Sequence, residues 1–325
     1  MKRLKWALQI AVLVGSLVYL VVYFRQNDDN LNIVLSFDKR LLAAILVLQP
    51  LFYVLQSWRF HLVLVKSAGV RVPYLPWLRI FVLARFLNTL FAQAGNVYRG
   101  LTLKKRFGVS YTKYVGGYSA MTWLDTLMNL LLALVIILVS RPEFHIGGVP
   151  AWPLLAGLSG LILIAPPAGK RLLGGLTVQN ERLGWAQRRL QEVVDITMGN
   201  LKDWRYVSSF AAIGLLQFAR SCATFYVFFL CFDIQVSLPV LAILYAVHKL
   251  GVLLVLTPGN LGVQELVWGA LAQSMGIGMA QGVLVSMMIR VTSTGLILIL
   301  GFVCGGYTLV RDRSDFMAIE GDTNG

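Results

Sequence analysis

Acidic residues and histidines are scarce in this chain. Only 15 of its 325 residues are Asp or Glu, and only three are His. No nucleotide-binding GxxxxGK[ST], metal-binding HExxH or nucleophile-elbow GxSxG motif occurs, and no acidic cluster has the spacing of a metal site. The three cysteines lie apart in apolar sequence without CxxC spacing. We therefore expect neither a catalytic triad, nor a disulfide framework, nor a bound metal or other cofactor.

Apolar residues are what the chain has in abundance. Hydrophobic residues make up 57% of it and charged residues 14%, with a mean hydropathy of +0.71. A membrane-spanning helix needs about 20 mostly apolar residues, and the apolar runs lack the polar–apolar alternation of barrel strands. The pattern predicts an all-α polytopic integral membrane protein. About six full spans are predicted, at residues 6–24, 41–65, 118–138, 152–166, 208–231 and about 283–309.

Positive charge is distributed unevenly between the loops. The formal net charge is +14, and basic residues cluster at the N-terminus, at 99–113 and near the C-terminus. In membrane proteins such clusters remain on the cytoplasmic side and meet anionic lipid. The pattern predicts a multi-pass protein of the cytoplasmic (inner) membrane with both termini cytoplasmic, and nucleic acid is not an expected partner.

Two further apolar segments are broken by polar residues. Residues 76–98 have basic loops on both sides, and 238–277 starts and ends on the outer side. Both patterns favour re-entrant helical hairpins of opposite orientation, which makes eight or so hydrophobic segments and is typical of a transporter built as an inverted repeat. The alternative is that both are ordinary kinked spans. The predicted organisation is a single transmembrane domain with a first half (1–166), a cytoplasmic amphipathic linker (167–205) and a second half (206–325).

The second hairpin contains the most informative motif, TPGNLGVQE at 257–265. Its Pro258, Gly259, Asn260 and Gly262 interrupt one helix before another begins. The N–H groups of a helix N-terminus inside the membrane favour an anion such as a lipid phosphate, while Glu265 carries a proton or holds an Arg. The alternative is a simple kink with Glu265 facing the outer water.

The first hairpin ends in GNVYRG at 95–100. Asn88 and Gln93 lie within the hairpin, and Arg99 is placed where the hairpin returns to the cytoplasmic face. Arg suits bidentate phosphate binding, although Arg99 is equally accounted for as one of the cytoplasmic basic residues. The three residues are candidate head-group ligands.

Ionisable residues inside the full spans are the other candidates, because their burial is costly. Asp125 lies at a depth where it can pair with Arg99 or Arg85, and the alternative is a partly hydrated carboxylate near the interface. It is the candidate gating residue, together with Glu265.

Arg220 and Arg290 are in apolar surroundings with no local counter-charge. Arg220 shares a helix face with Gln217 by its spacing. One of the two arginines is expected to partner Glu265 or Asp125, unless both extend to an interface.

Two pairs of residues near the ends of apolar segments complete the set. Arg59 and His61 are expected to extend to the cytoplasmic side. His248 and Lys249 precede the second break, and one of them is expected to be functional; His248 is the candidate for charge relay.

These motifs resemble a known family. TPGNLGVQE with Arg290, GNVYRG, and the Asp of MTWLD at 121–125 are similar to those of the flippase-like transmembrane family related to the lysylphosphatidylglycerol synthase membrane domain. The resemblance extends from about Ser57 to Gly305. It implies movement of a lipid or a lipid-linked anionic head group between leaflets, and because no soluble synthetase domain follows by Gly325, aminoacyl transfer is not expected.

The resulting prediction is a lipid flippase whose partner is an anionic or polyprenyl-linked membrane lipid. Homo-oligomers or partners in envelope biosynthesis are compatible with it. Two other functions remain open at this stage. One is a membrane enzyme acting on a lipid phosphate or polyprenyl donor, and the other is a non-catalytic scaffold of an envelope-synthesis complex.

Overall fold

The protein folds into packed α-helices. The computed structural model describes residues 38–91, 93–175, 202–253 and 262–322, together with scattered positions between 184 and 199. The helices are α1 (Leu42–Ala68), α2 (Tyr74–Leu90), α3 (Ala94–Phe107), α4 (Tyr111–Ser140), α5 (Ala151–Gly175), α6 (Trp204–Leu230), α7 (Leu238–Leu253), α8 (Val263–Ser274) and α9 (Met279–Asp322). Two two-residue strands, β1 (His145–Ile146) and β2 (Val149–Pro150), form an antiparallel pair in the loop between α4 and α5.

In the part of the chain that the structure describes, five helices are long and apolar enough to cross a membrane. They contain five of the six predicted spans, which confirms that this is an all-α polytopic membrane protein. The sixth predicted span, at 6–24, lies outside the described residues, as does most of the predicted amphipathic linker. Large apolar side chains remain exposed along these helices, including Val139 at 81% and Leu161 at 68%. An exposed apolar surface is what a helix presents to lipid.

Four helices are shorter than the membrane is thick. α2, α3, α7 and α8 have 17, 14, 16 and 12 residues, or about 18–26 Å at about 1.5 Å per residue, against a hydrocarbon core of about 30 Å. α2 and α3 contain the predicted hairpin 76–98. α7 and α8 lie on either side of the predicted second break, whose residues 254–261 are outside the described part.

Glycine allows the short helices to pack very closely. A Cβ atom placed on Gly95 of α3 would lie 1.7 Å from the carbonyl oxygen of Ala84 in α2. A Cβ on Gly282 of α9 would lie 2.5 Å from the carbonyl oxygen of Trp268 in α8. In both cases the obstacle is backbone, which cannot rotate away, so these contacts require glycine.

Helices α1 and α4 are at the centre of the packing. α1 contacts α2, α4 and α6, and α4 also contacts α5 and α7. One apolar cluster joins α4, α6 and α7 around Phe228, Phe229 and Ile243. A second joins α1, α2 and α4 around Phe60 and Trp77. Three of the five buried charged residues of the described part lie on α1, α4 and α6, and the other two lie on the short helices α3 and α8.

Candidate functional site: buried charges within the helix bundle

Asp125 is the centre of a buried ionic cluster. It lies near the middle of α4, and its Oδ1 forms an ion pair with the Arg59 guanidinium of α1. Lys249 Nζ of α7 donates to Oδ2 at 2.8 Å, and Asn129 Nδ2 donates to Oδ1 at 3.0 Å. Arg59 also lies over the Phe210 ring of α6, at 4.2 Å. The carboxylate therefore connects three helices, α1, α4 and α7.

Two predictions about these residues are wrong. Arg59 does not extend to the cytoplasmic side, because its exposed fraction is 1% and it forms an ion pair. Asp125 pairs with neither Arg99 nor Arg85. Once α1 and α4 pack side by side, Arg59 faces Asp125 directly, and a buried carboxylate is far more stable with a partner than without one.

A second ionic contact joins α8 and α9. Arg290 Nε donates to Glu265 Oε1 at 2.6 Å, and the backbone N–H of Gly262 donates to Oε2 at 2.7 Å. Glu265 therefore has two roles: it caps the start of α8 and it pairs with an arginine. The structure thus assigns Arg290 to Glu265, which was one of the predicted pairings. Pro258, Gly259 and Asn260 of the same motif lie outside the described residues.

His248 and Lys249 have different partners although they are neighbours in sequence. Lys249 reaches Asp125, whereas His248 Nδ1 accepts a hydrogen bond of 2.9 Å from Gln264 Nε2. The His248 ring packs edge-on against Trp268 and Phe225. His248 therefore links α7 to the first turn of α8, one residue from Glu265.

Arg99 is buried among aromatic rings. Its exposed fraction is 2%, and its guanidinium carbon lies 5.2 Å from the Phe60 ring, 6.0 Å from that of Trp77 and 5.1 Å from that of Phe81. Its Nε has no hydrogen-bond partner within the described ranges. The rings stabilise the cation through their negative faces, but they supply no opposite charge. Arg99 is thus an interior residue and not a surface one.

Asn88 and Gln93 shape the turn before Arg99. Asn88 Oδ1 accepts from the backbone N–H of Gly95 at 2.7 Å, and Gln93 Oε1 accepts from Asn96 Nδ2 at 2.6 Å. Gln93 has a positive φ of 67° and an exposed side chain. In this conformation both residues support the hairpin and neither is hydrogen-bonded to Arg99.

Arg220 is the second buried guanidinium without a carboxylate partner in the part of the chain that is described. It donates to Ser221 Oγ at 2.6 Å and to Thr224 Oγ1 at 3.3 Å, and it lies 4.9 Å from the Phe52 ring. One turn away, Gln217 Nε2 donates to Gln56 Oε1 of α1 at 2.7 Å. The α1–α6 interface is therefore polar in the interior of the bundle.

One signal for this polar interface was present in the sequence. Gln49, Gln56 and Arg59 recur at spacings of seven and three residues, which places them on one face of α1. Lys249 gave no such signal, because no other charged residue occurs in α7.

In the described part of the chain, buried nitrogen donors that have no hydrogen-bond partner outnumber buried amide oxygens that have none. Within the described residues, the buried side-chain atoms without a partner include five arginine nitrogens and the Trp268 indole nitrogen, but only two amide oxygens, of Asn129 and Gln217; the others are hydroxyls. No group of three or more His, Cys, Asp or Glu that is suited to a metal ion occurs among them. Such a site suits a ligand that brings acceptor oxygens and negative charge.

The sequence matches the model of one protein family. The match covers residues 6–301, and the family is described as the lysylphosphatidylglycerol synthase TM region. The chain belongs to this family. Membership confirms the resemblance seen in the TPGNLGVQE and GNVYRG motifs, and it agrees with the multi-pass helical fold. No curated protein and no solved structure matches the chain.

Proposed function

We propose that this protein is a flippase, which moves a lipid or a lipid-linked anionic head group between the leaflets of the cytoplasmic membrane. The observation on which this depends is the imbalance of buried charge. Arg59, Arg99, Arg220, Asp125 and Glu265 are the charged residues buried in the described part. The two carboxylates are engaged by Arg59, Lys249 and Arg290, which leaves Arg99 and Arg220 without a negative partner there.

A buried cation without a counter-ion is costly in any protein, and more so within a bilayer. Arg99 and Arg220 lower this cost through aromatic rings and hydroxyl groups, but neither kind of group neutralises the charge. An anionic head group would do so and would satisfy the free N–H groups. The acyl or prenyl chains would stay in the lipid.

The short helices support the same function. The α2–α3 pair and the pair formed by α7 and α8 are proposed to be re-entrant hairpins, which enter the membrane from opposite faces around a central pathway. In this arrangement the first turn of α8, at Gly262 and Glu265, points a helix N-terminus towards the head group.

Asp125 and Glu265 are the proposed gating residues. Each carboxylate pairs with a basic side chain of another helix. An exchange of these partners would couple movement of α7 and α9 to binding of the head group. No nucleotide-binding motif is present, and transport is proposed to be downhill or ion-coupled.

The test is mass spectrometry of the lipids that co-purify with the protein in mild detergent. Wild type is expected to retain one anionic or polyprenyl lipid above its share of the membrane, and Arg99→Gln and Arg220→Gln are expected to lose it. The matched control is Lys105→Gln, which removes the same charge from an exposed position. If all of these proteins retain only bulk lipid in the same proportions, the result would contradict a head-group site. If the co-purified lipid is chemically altered, the result would favour a membrane enzyme.

A further inference from the structure

Among the described residues, three guanidinium groups in the bundle have a buried Nε without a hydrogen-bond partner and form no ion pair with a carboxylate. Two are the buried Arg99 and Arg220. The third is Arg85 of α2, which is less buried than either and whose Nε nevertheless has no hydrogen-bond partner there. From the sequence, Arg85 was considered only as a partner for Asp125, but the Asp125 carboxylate is paired with Arg59 and Lys249.

Aromatic rings connect the three arginines. The Phe81 ring lies 5.6 Å from the guanidinium carbon of Arg85 and 5.1 Å from that of Arg99. On the other side, the Tyr53 hydroxyl interacts electrostatically with both Arg85 and Arg220. Arg85 thus shares one ring with Arg99, and both Arg85 and Arg220 are within electrostatic range of the Tyr53 hydroxyl.

Arg220 and Arg99 also lie at different levels along α1. Arg220 is over Phe52 of α1, and Arg99 is over Phe60 of the same helix. Eight residues of a helix correspond to about 12 Å along its axis, which is a large fraction of a hydrocarbon core of about 30 Å. Arg85 shares the Phe81 ring with Arg99 and is within electrostatic range of Tyr53, which is at the Phe52 end of this interval.

From this arrangement we infer that Arg220, Arg85 and Arg99 form a guanidinium ladder, along which a phosphate-bearing head group passes from one arginine to the next, with Arg85 as the middle position. The inference rests on the proposed flippase function. It adds the route that the head group takes through the bundle, and it adds Arg85 as a further substrate-binding residue. The planar fork of each arginine can bind two phosphate oxygens at once. Adjacent binding positions allow the head group to leave one cation as it reaches another, so that it is never without a partner inside the membrane.

The experiment measures leaflet exchange in proteoliposomes. Phosphatidylglycerol with a fluorescent label on its acyl chain is bleached from outside by a membrane-impermeant reductant, and acyl-labelled phosphatidylcholine is measured in parallel. Arg85→Gln is expected to slow exchange of phosphatidylglycerol at least about tenfold, the equivalent of losing one hydrogen bond to a charged group. Exchange of phosphatidylcholine is expected to be unaffected, and Arg85→Lys is expected to lie between wild type and Arg85→Gln because it keeps the charge but not the fork.

Binding distinguishes a middle position from a main binding site. Native mass spectrometry in detergent is expected to show that Arg85→Gln still retains phosphatidylglycerol, since Arg99 and Arg220 remain. Lys105→Gln is the control for both measurements. If Arg85→Gln does not fold, the rates of phosphatidylglycerol exchange by wild type and Arg85→Lys are compared instead, and equal rates would contradict the ladder.

Each contrary outcome has its own meaning. If wild type exchanges phosphatidylglycerol and the Arg85 variants exchange it at the same rate, the ladder is wrong and the flippase function stands. If Arg85→Gln loses retention together with exchange, a single site at Arg85 replaces the ladder. If wild type neither retains nor exchanges phosphatidylglycerol, the proposed function fails for this head group, and the ladder fails with it.

Discussion

Lys249 donates a hydrogen bond of 2.8 Å to Asp125, which joins two residues separated by 124 positions in the chain. Arg59 binds the other oxygen of the same carboxylate. One negative charge thus faces two positive charges inside the bundle. We expect a substitution at any of these three residues to change the stability of the fold.

Asp125→Asn is expected to destabilise the protein strongly. It leaves Arg59 and Lys249 buried without a counter-charge, and breaking a buried pair in this way costs about 3–5 kcal/mol. Thermal unfolding in detergent measures the change. Glu143→Gln removes an exposed carboxylate and is the control. Equal unfolding temperatures for the two variants would show that the cluster contributes little to stability.

Adding Lys249→Met to Asp125→Asn is expected to recover part of that loss. The second substitution removes one of the two cations that the first leaves unpaired, so the two effects are not additive. Contacting residues typically couple by about 0.5–3 kcal/mol. A double-mutant cycle of unfolding free energies measures the coupling, and a value near zero would be incompatible with a direct ion pair.

Glu265→Leu is expected to be more harmful to stability than Glu265→Gln. Leu removes both the partner of Arg290 and the cap on the Gly262 N–H, whereas Gln keeps an acceptor oxygen for one of them. Hydrogen bonds to charged groups contribute about 1.5–3 kcal/mol. Chemical unfolding in mixed micelles compares the variants, and the reverse order would show that the cap and the ion pair are not formed together.

Gly95→Ala is expected to disrupt the α2–α3 contact. The added methyl group would overlap the Ala84 carbonyl, and forced displacement in a well-packed region costs about 1–3 kcal/mol or more. Gly157→Ala is the matched control, because nothing lies within 4 Å of a Cβ there, and a helical Gly→Ala change is favourable by about 0.5–1 kcal/mol. Similar stability of the two variants would refute the close approach.

The pair of Lys66 and Asp203 predicts a pH dependence. The hydrogen bond from Lys66, together with the backbone N–H of Tyr206, holds the pKa of Asp203 below its ordinary value. A pKa that is lower in the folded state stabilises the fold at pH values above the unfolded-state pKa of about 3.9. This stabilisation is lost as the pH falls through the lowered, folded-state pKa. The contribution is small because both side chains are exposed.

Asp203→Asn isolates this charge effect, since Asn also caps helices well. The difference in unfolding temperature between wild type and Asp203→Asn is expected to be largest near neutral pH and to vanish in acid. A difference that does not change with pH would assign the effect to the cap of α6 instead of the carboxylate.

The full spans could be predicted from the sequence because a helix in lipid needs a long apolar run wherever it packs. The helix ends differ: α4 begins at Tyr111, seven residues before the predicted span. Ser110 precedes that first turn as its N-cap, and its side chain accepts from the N–H of Lys113, so the helix starts at a polar cap and not at the edge of the apolar run.

The charge pairs were only partly predictable. Glu265 and Arg290 belong to neighbouring helices, and their pairing was among the alternatives considered. The partners of Asp125 come from positions 66 residues before it and 124 residues after it, and nothing in the local sequence specifies which distant helices will meet. Arg59 also follows an apolar run, a position where arginine commonly extends to the interface.

Gly95 of α3 lies so close to the carbonyl of Ala84 in α2 that a Cβ atom at position 95 would overlap it, so the two helices cannot approach any further at their crossing point. The hairpin packs against α1, α4 and α9, and we expect it to move against them as a unit. Arg99 is fixed within α3, one turn beyond that contact. We expect this charge to change position together with the hairpin, so that its location would report on the conformational state of the protein.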